Sequence, residues 1–560
     1  MRGRQYDRSQ RPKLKAYLWL AMILIAACMG FLLFFIYITP VENLKPKELG
    51  VFMRWGIVSV LSGLVFAYGV HWFAKQVAYE KEQLSVYKTK VVADSTEQCA
   101  LRERTYSLEI RGVGLAGKGW YQSSVWREIE KKADNFTSIY SHNPEDYKAS
   151  VTSRTNTSRL AVRAAFTFSA TDSVAYWPIP VFALGPPDPY EKGYKAGGLI
   201  NSGRNAATLG VTQFLWQDDE NTSHAQAMIE RLFVFFDENP QVPQALIASR
   251  DGDVTRDIYR KPDTPGLQND QVVPTVHESV TGLLVSRSDR VDRYVRPYAT
   301  QDTEDNQNKK TDLGKLWAFY WDRDRAFHEW YKDVERAKGK TGYIHPPSTM
   351  STAYWQSQLP TLWKTLSNRG PGHFEPSPWL PVRWANHQVK EFDKAPILGY
   401  LHRPIKVPMQ DENGKLLKPA LQAKALQAGW QQALETLPEG EKPVRVFYDS
   451  TDNTHGEIAL TLALHSLNTD GTGLEIGNVE EGYDIGRRLG NTGVSSALVE
   501  INLATIASYK DGGVSAVVYT GDDGSVTVQM VRPPDEARKL KNQQTHGVDP
   551  FTFRMPGRTP

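Results

Sequence analysis

Residues 223–249 read SHAQAMIERLFVFFDENPQVPQALIAS. Ala225, Ile229, Leu232, Phe233 and Phe236 recur at helical spacing, which predicts a helix over Ser223–Glu238 with one apolar face. Pro240 and Pro243 stop it. Gln244–Ser249 is a short apolar run ending near Asp251-Gly252, the pattern of a buried strand entering a turn. Helix, short loop, apolar strand is the unit of an α/β fold, and its sheet is expected to be mainly parallel.

The same alternation extends outward. Thr105–Arg111 alternates as a strand does, and Ser123–Asp134 has a helical period with charges on one face. Ala175–Leu184 is a strand running into Gly185-Pro186-Pro187. From about Val254 to Thr311 the chain is polar, with one apolar strand at Gly282–Ser286 and a charged loop at Asp302–Asp312. Towards the end, Val444–Tyr448 reads as a strand and His455–Leu467 as a helix. Gly493–Tyr509 is a helix with Val494, Ala497, Leu498, Ile501 and Ala504 on one stripe. Val514–Thr520 and Ser525–Val531 flank Gly521-Asp522-Asp523-Gly524 as a hairpin. The tail after Pro533 is expected to be loosely held.

Between Trp317 and Trp384 the composition changes. Seven of the 15 tryptophans fall there, with seven prolines. This predicts helices joined by rigid proline loops. Aromatic rings at such density serve either core packing of a helical insertion or a partner surface, because Trp and Tyr bury much area with few rotors.

The N-terminus is of another kind. Ala16–Ile38 is 23 residues without a charge, and Trp55–Phe73 is 19 residues whose one near-neutral titrating side chain is His71. Each is long enough to cross a bilayer as a helix. Arg2, Arg4, Arg8, Arg11, Lys13 and Lys15 precede the first run, and Lys75, Lys81, Lys88 and Lys90 follow the second. The connector from Thr39 to Arg54 holds fewer bases, diluted by Glu42 and Glu48. This asymmetry predicts a hairpin in the bacterial inner membrane with both termini cytoplasmic. A lipoprotein signal ending in Ile25-Ala26-Ala27-Cys28 is the rival reading, opposed by the apolar run continuing from Met29 to Ile38. The two cysteines, Cys28 and Cys99, leave no disulfide within the soluble part, which fits a reducing compartment.

The net charge of +3, with acids and bases interspersed, argues against nucleic acid as the main partner. Chemical motifs are few. Gly112-Val113-Gly114-Leu115-Ala116-Gly117-Lys118 imitates both a dinucleotide fingerprint and a phosphate loop. Gly119 stands where the phosphate loop needs a hydroxyl, and no second strand ends in an acid at the required distance. Backbone geometry is the competing explanation for these glycines. Asp449, Asp452, His455 and Glu457 cluster after a strand, where they either hold a metal or form a solvated turn with Asp452 or Thr454 as helix cap. Asp251 and Asp253 pose the same choice. Gly-x-Ser-x-Gly, His-Glu-x-x-His and Cys-x-x-Cys are absent from the sequence.

Four stretches carry a family resemblance. They are Leu108-Glu109-Ile110-Arg111-Gly112-Val113-Gly114-Leu115, then Tyr176-Trp177-Pro178-Ile179-Pro180 with Gly185-Pro186-Pro187, then Phe235-Phe236-Asp237 before Pro240, and Tyr483-Asp484-Ile485-Gly486-Arg487-Arg488-Leu489-Gly490. They resemble the type VI lipase adapter protein family, linked to the bacterial type VI secretion system. The resemblance implies a non-enzymatic adapter, without cofactor, metal or catalytic residues. Such an adapter binds a lipase-type effector in the producing cell and helps load it on the VgrG spike. A second resemblance is to the C-terminal part of thiolase-like β-ketoacyl synthases. It runs through Leu489-Gly490-Asn491-Thr492-Gly493, the helix after it, Gly512-Gly513 and the hairpin Ser515–Met530. There a catalytic His precedes the Thr-Gly, and here Asn491 stands instead. That implies a thiolase-like fold stripped of acyl-transfer chemistry, because an amide cannot shuttle protons as an imidazole does.

The expected organisation is a membrane anchor over 1–90 with spans 16–38 and 55–73. An α/β adapter domain over 91–310, a Trp/Pro-rich mainly helical segment over 311–440, a C-terminal α/β part over 441–535 and a flexible tail over 536–560 follow. Two other functions stay open at this point. One is a nucleotide-binding or acyl-transfer enzyme of α/β fold, and the other is a structural membrane-anchored component of an envelope complex.

Overall fold

The computed structural model describes residues 14–38, 50–51, 53–75 and 106–552, the last range without 118, 133–135, 148, 188–191, 218–223, 262, 268, 270–271, 302–304, 452, 470 and 522. Several expectations fall outside these residues. They concern most of the flanking basic residues, the end of the 1–90 anchor segment, Cys99, Lys118 and Asp452. The chain forms two compact units, Met1–Glu103 and Arg104–Pro560.

In the first unit, α1 (Leu14–Ile38) and α2 (Met53–Lys75) are both long and apolar enough to cross a membrane. The Tyr17 hydroxyl lies 2.8 Å from His71 Nδ1, and Tyr17 meets Tyr68 edge to face at 5.3 Å. The two helices are thus paired side by side, with most of their large apolar side chains uncovered.

The second unit holds one eleven-stranded mixed sheet. Its first half comprises β1 (Ser107–Ala116), α3 (Ser123–Lys131), α4 (Val151–Ala170), β2 (Pro178–Leu184), α5 (Lys192–Ala206), β3 (Gln213–Trp216), α6 (Ala225–Glu238), β4 (Gln244–Asp251), α7 (Asp253–Ile258) and β5 (Ser279–Ser286). Then come α8 (Ser288–Tyr294), α9 (Asp312–Ala337), α10 (Thr352–Trp363) and α11 (Asn386–Lys394). The second half is β6 (Gly399–His402), β7 (Ile405–Val407), α12 (Pro419–Leu434), β8 (Pro443–Tyr448), α13 (Thr454–Asn468), β9 (Gly482–Asp484), α14 (Ile485–Leu489), α15 (Ser496–Asp511), β10 (Val514–Thr520) and β11 (Val526–Arg532), closed by α16 (Glu536–His546).

The strand order is β3-β2-β4-β5-β1-β6-β11-β10-β8-β9. Read from the two edges inward, it is the same sequence twice. β2 pairs parallel with β3 and β4, as β8 does with β9 and β10. β5 runs antiparallel to β4 and β1, as β11 does to β10 and β6. An antiparallel seam between β1 and β6 joins the halves. The sheet is therefore not mainly parallel: the pairs near the seam are antiparallel, β11 returning beside β10 through a hairpin and β5 coming back beside β4 after the short α7.

Helices fill three layers. Helices α4 and α5 cover the outer face of the first half and α12 with α13 that of the second. Helices α6 and α15 share the inner core, where α15 touches β6, β8, β10 and β11 of its own half and β1 and β5 of the other. The one-sided stripe expected for α15 is wrong in kind. Every residue from Ala497 to Tyr509 is buried, Glu500, Asn502, Thr505 and Ser508 included.

The glycine run is also corrected. Residues Gly112–Ala116 are strand, not a strand-to-helix loop. A Cβ on Gly112 would overlap the Ser169 carbonyl, and one on Gly114 the Ala165 carbonyl, so these glycines let α4 lie directly on the strand. The register shifts between Ile110 and Gly112. Beside that shift the buried Arg111 bonds Glu109 (2.6 Å), Ser286 (2.9 Å) and the Ala395 carbonyl (3.1 Å).

The Trp/Pro-rich segment resolves towards core packing. Trp355 and Trp384 are fully buried, Trp384 meets Trp177 at 5.6 Å, and Trp379 donates to Asn239 at 2.7 Å. Trp355 and Trp384 join the outer core of the first half and Trp379 the inner core, while Trp330 is the exposed member, at 40%. Nor is the tail loose as far as Thr552. Asp535 caps α16, Asn542 bonds both backbone groups of Ile397, and Phe551 packs edge-on against Tyr509.

Two outcomes follow. Gly114→Ala forces α4 off the strand and costs about 3 kcal/mol, read as a lower urea midpoint. His402, buried beside Arg532 with Nδ1 2.8 Å from the Thr436 carbonyl, has its pKa pushed down to about 4 by burial. The unfolded chain takes up that proton near the ordinary pKa of about 6.5 and the folded chain does not. Stability is thus complete above about pH 6.5 and falls as pH drops towards 4, by up to about 3 kcal/mol. Denaturation of a His402→Gln variant across this window should lack that part of the slope.

Candidate functional site

Open α/β sheets place their sites beyond the carboxyl ends of parallel strands. Here a cleft of about 420 Å³ lies beyond β8 and β10. It brings together features that sequence reading found separately. Asp449, His455 and Glu457 line it, and so does Asn491.

The acidic cluster is mostly turn and cap. Asp449 Oδ1 accepts the Thr451 N–H at 2.8 Å. Asn453, rather than Thr454, caps α13 by accepting from Gly456 at 3.0 Å. Glu457 is paired with Arg487 at 2.6 Å, and Arg487 also reaches Asp484 at 3.1 Å. Among the described residues, no group of three His, Cys, Asp or Glu side chains is placed to hold a metal ion.

Asn491 is used by its own turn. Its side-chain oxygen accepts the Gly493 N–H at 2.8 Å, and its carbonyl accepts the His277 N–H at 2.8 Å. Gly493 has φ +61°, and a Cβ there would overlap Asp251 Oδ2. That close approach lets Asp251, fully buried, accept the Val494 N–H at 2.9 Å while Arg256 holds it at 2.8 and 2.9 Å. Asp251 is thus an N-terminal anchor for the turn that leads into α15. Asp253 accepts from Thr275 (2.7 Å) and Val276 (3.2 Å) and holds the approach to β5.

Two functional-site residues were missed, Ser496 and Glu500. The Ser496 hydroxyl donates to Asp449 Oδ2 and lies 3.3 Å from Glu500 Oε1. Glu500 is wholly buried, and its Oε2 has no hydrogen-bond partner among the described residues. Burial pushes its carboxyl well above the usual range, and the charge of Asp449 adds to this. One signal was available: Glu500 falls within a helix whose other stripe residues are apolar, one turn after Ser496.

The arrangement offers carboxyl oxygens, hydroxyls and apolar side chains to a ligand. A family profile described as type VI lipase adapter protein Tla3, N-terminal, matches residues 106–270, and one described as its C-terminal part matches residues 398–533. Together they span more than half of the 560 residues.

The chain belongs to the type VI lipase adapter family.

In this Tla3 family member the matched stretches cover β1 to α7 and β6 to β11, so the Trp/Pro-rich helices lie between them. Solved structures similar to it include the ishigamide ketosynthase/chain length factor, at 10% identity and TM-score 0.37 over 77% of this chain and 100% of that one. Another is the ketosynthase from module 1 of the bacillaene synthase of Bacillus amyloliquefaciens, at 9% and 0.37, covering 77% and 76%. A third is 3-oxoacyl-[acyl-carrier-protein] synthase III of Aquifex aeolicus, at 8% and 0.31, covering 76% and 99%. Identities and scores this low carry no statement about chemistry.

Asp251→Ala should cost about 3 kcal/mol, since it strips the turn before α15 of its acceptor and leaves Arg256 unpaired. The urea midpoint of the variant measures this.

Proposed function

We propose that the protein is a non-catalytic adapter that binds a lipase-type toxin effector in the producing cell and helps load it on the VgrG spike. Membership of the type VI lipase adapter family carries this reading. The replacement of the expected imidazole by Asn491, held in its own turn, supports a binding role over acyl transfer.

In this reading α1 and α2 span the bacterial inner membrane, with both termini cytoplasmic. The excess of Lys and Arg outside the 39–54 connector supports that orientation. Holding the adapter at the bilayer raises the effective concentration of adapter and effector beside a membrane-bound secretion machine, without any new contact. With most of the tryptophans of the 317–384 segment drawn into the core, the effector surface would draw on what that segment leaves outside, Trp330 and Tyr343 among it.

Affinity purification of the tagged full chain from the producing cell tests the proposal. The expected result is recovery of a lipase, and of the spike protein when the lipase is present. Recovery of neither would overturn it. Removing residues 1–75 should leave lipase binding within about threefold while lowering secretion of the toxin, if the hairpin acts only by concentration.

A further inference from the structure

The cleft beyond β8 and β10 has an unusual floor. Asp449 and Glu500 meet at one hydroxyl, that of Ser496. A hydroxyl has one proton to give. Ser496 gives it to Asp449, the closer oxygen, so Glu500 and Ser496 can share a hydrogen bond only if Glu500 donates through Oε1. That leaves Oε2 a bare acceptor, buried and without a protein donor among the described residues. The Thr451 hydroxyl, of a residue that also lines the cleft, has no hydrogen-bond partner among the described residues either. A buried acceptor without a donor is costly, and one on a residue that lines a cleft calls for a ligand that brings N–H groups.

The charges narrow the choice. Asp449 and Asp484 are the charged groups that act on Glu500, and both are acids. Of the elements packed round it, α13 adds His455 and Glu457, β8 adds Tyr448, β10 adds Tyr519 and α6 adds Glu230. The bases nearby are Arg487 and Arg488 on α14, and His224, just before α6, also lines the cleft. Arg487 is already held by Glu457 and Asp484, and Arg488 donates to the Lys132 carbonyl at 2.9 Å. The lining also includes the apolar side chains of Met409, Leu426, Leu460 and Val518.

We infer that this cleft binds an organic cation, an ammonium or guanidinium group on a short aliphatic stem. The head lies against Glu500 Oε2 and Asp449, and the stem against Leu426, Leu460 and Met409. The adapter role does not require such a site, and the inference stands whether or not the protein carries a lipase. Cation binding favours the ionised form of Glu500, so the proton leaves for solvent as the cation arrives.

Calorimetric titration of the full chain in detergent micelles tests this, with n-butylammonium and n-butylguanidinium chloride as probes and butyramide as the uncharged control. The expected result is saturable binding of at least one cation, none of butyramide, and release of up to one proton at pH 7, read from the dependence of the heat on the buffer. Glu500→Gln and Asp449→Asn should each weaken the cation at least tenfold with the melting temperature retained. No saturable heat, equal affinity for butyramide, no proton release, or unchanged affinity in Glu500→Gln would each overturn the inference. Should that variant not fold, proton release by the unaltered chain still decides. Tighter binding of N-acetyl-lysine methylamide than of n-butylammonium would assign the cation to a polypeptide side chain. The reverse order would assign it to a free amine.

Discussion

Helix α15 has no face left to water, and the architecture around it follows from that. Strands from both half-sheets press on it, so neither half can be complete alone. Its two ends are tied to the first half of the chain: Asp251 holds the turn before its start, and Trp126 Nε1 donates to Asp511 at its last residue, at 2.8 Å. The polar side chains along it are answered locally. Asn502 donates to the Leu498 carbonyl, Thr505 to Ile501, and Ser508 meets Ser515. Asn502 Oδ1 and Glu500 Oε2 are the atoms of this helix left without a partner among the described residues, and of the two residues it is Glu500 that lines the cleft. A buried polar group without a partner is expensive enough that its location is informative.

How much of this was visible in the residues depends on the scale of the signal. The apolar runs of α1 and α2, the periodic helix α6, the strands β2, β4, β5 and β8 and the hairpin β10–β11 were legible, because burial on one or both faces writes a period into the sequence. Helix α4 was not recognised. The residues it lays on Gly112 and Gly114 are Ser169 and Ala165, and most of its other buried positions are Ala, Ser or Thr, so that Val162 and Phe166 alone give little hydrophobic contrast. The same close packing explains the misread loop, since glycines required by a neighbouring helix look like glycines required by a turn. Strand direction was likewise hidden, since apolar runs read alike in parallel and antiparallel pairs.

The candidate site was legible in pieces. Asp449, His455 and Glu457 were found by clustering, Asn491 by resemblance, and nothing in one dimension said that they share a cleft. Two of the groups that matter most there, Ser496 and Glu500, were hidden in a helix whose apolar stripe drew the eye. Asp251 was noticed as an acid after a strand, yet its task is to hold a turn nearly 250 positions away. Family membership supplies the adapter role that geometry alone would not, while geometry shows how the glycine run and the asparagine serve packing and turn formation.

Strand β1 is the first element described after the paired apolar helices, and it is also the strand at the middle of the sheet. It is hydrogen-bonded along both edges, to β5 and to β6. Tension transmitted along the polypeptide from the N-terminal side would therefore load two ladders at once in shear, instead of unzipping an edge bond by bond. The chain thus enters this unit at a strand held on both sides and not at a sheet edge.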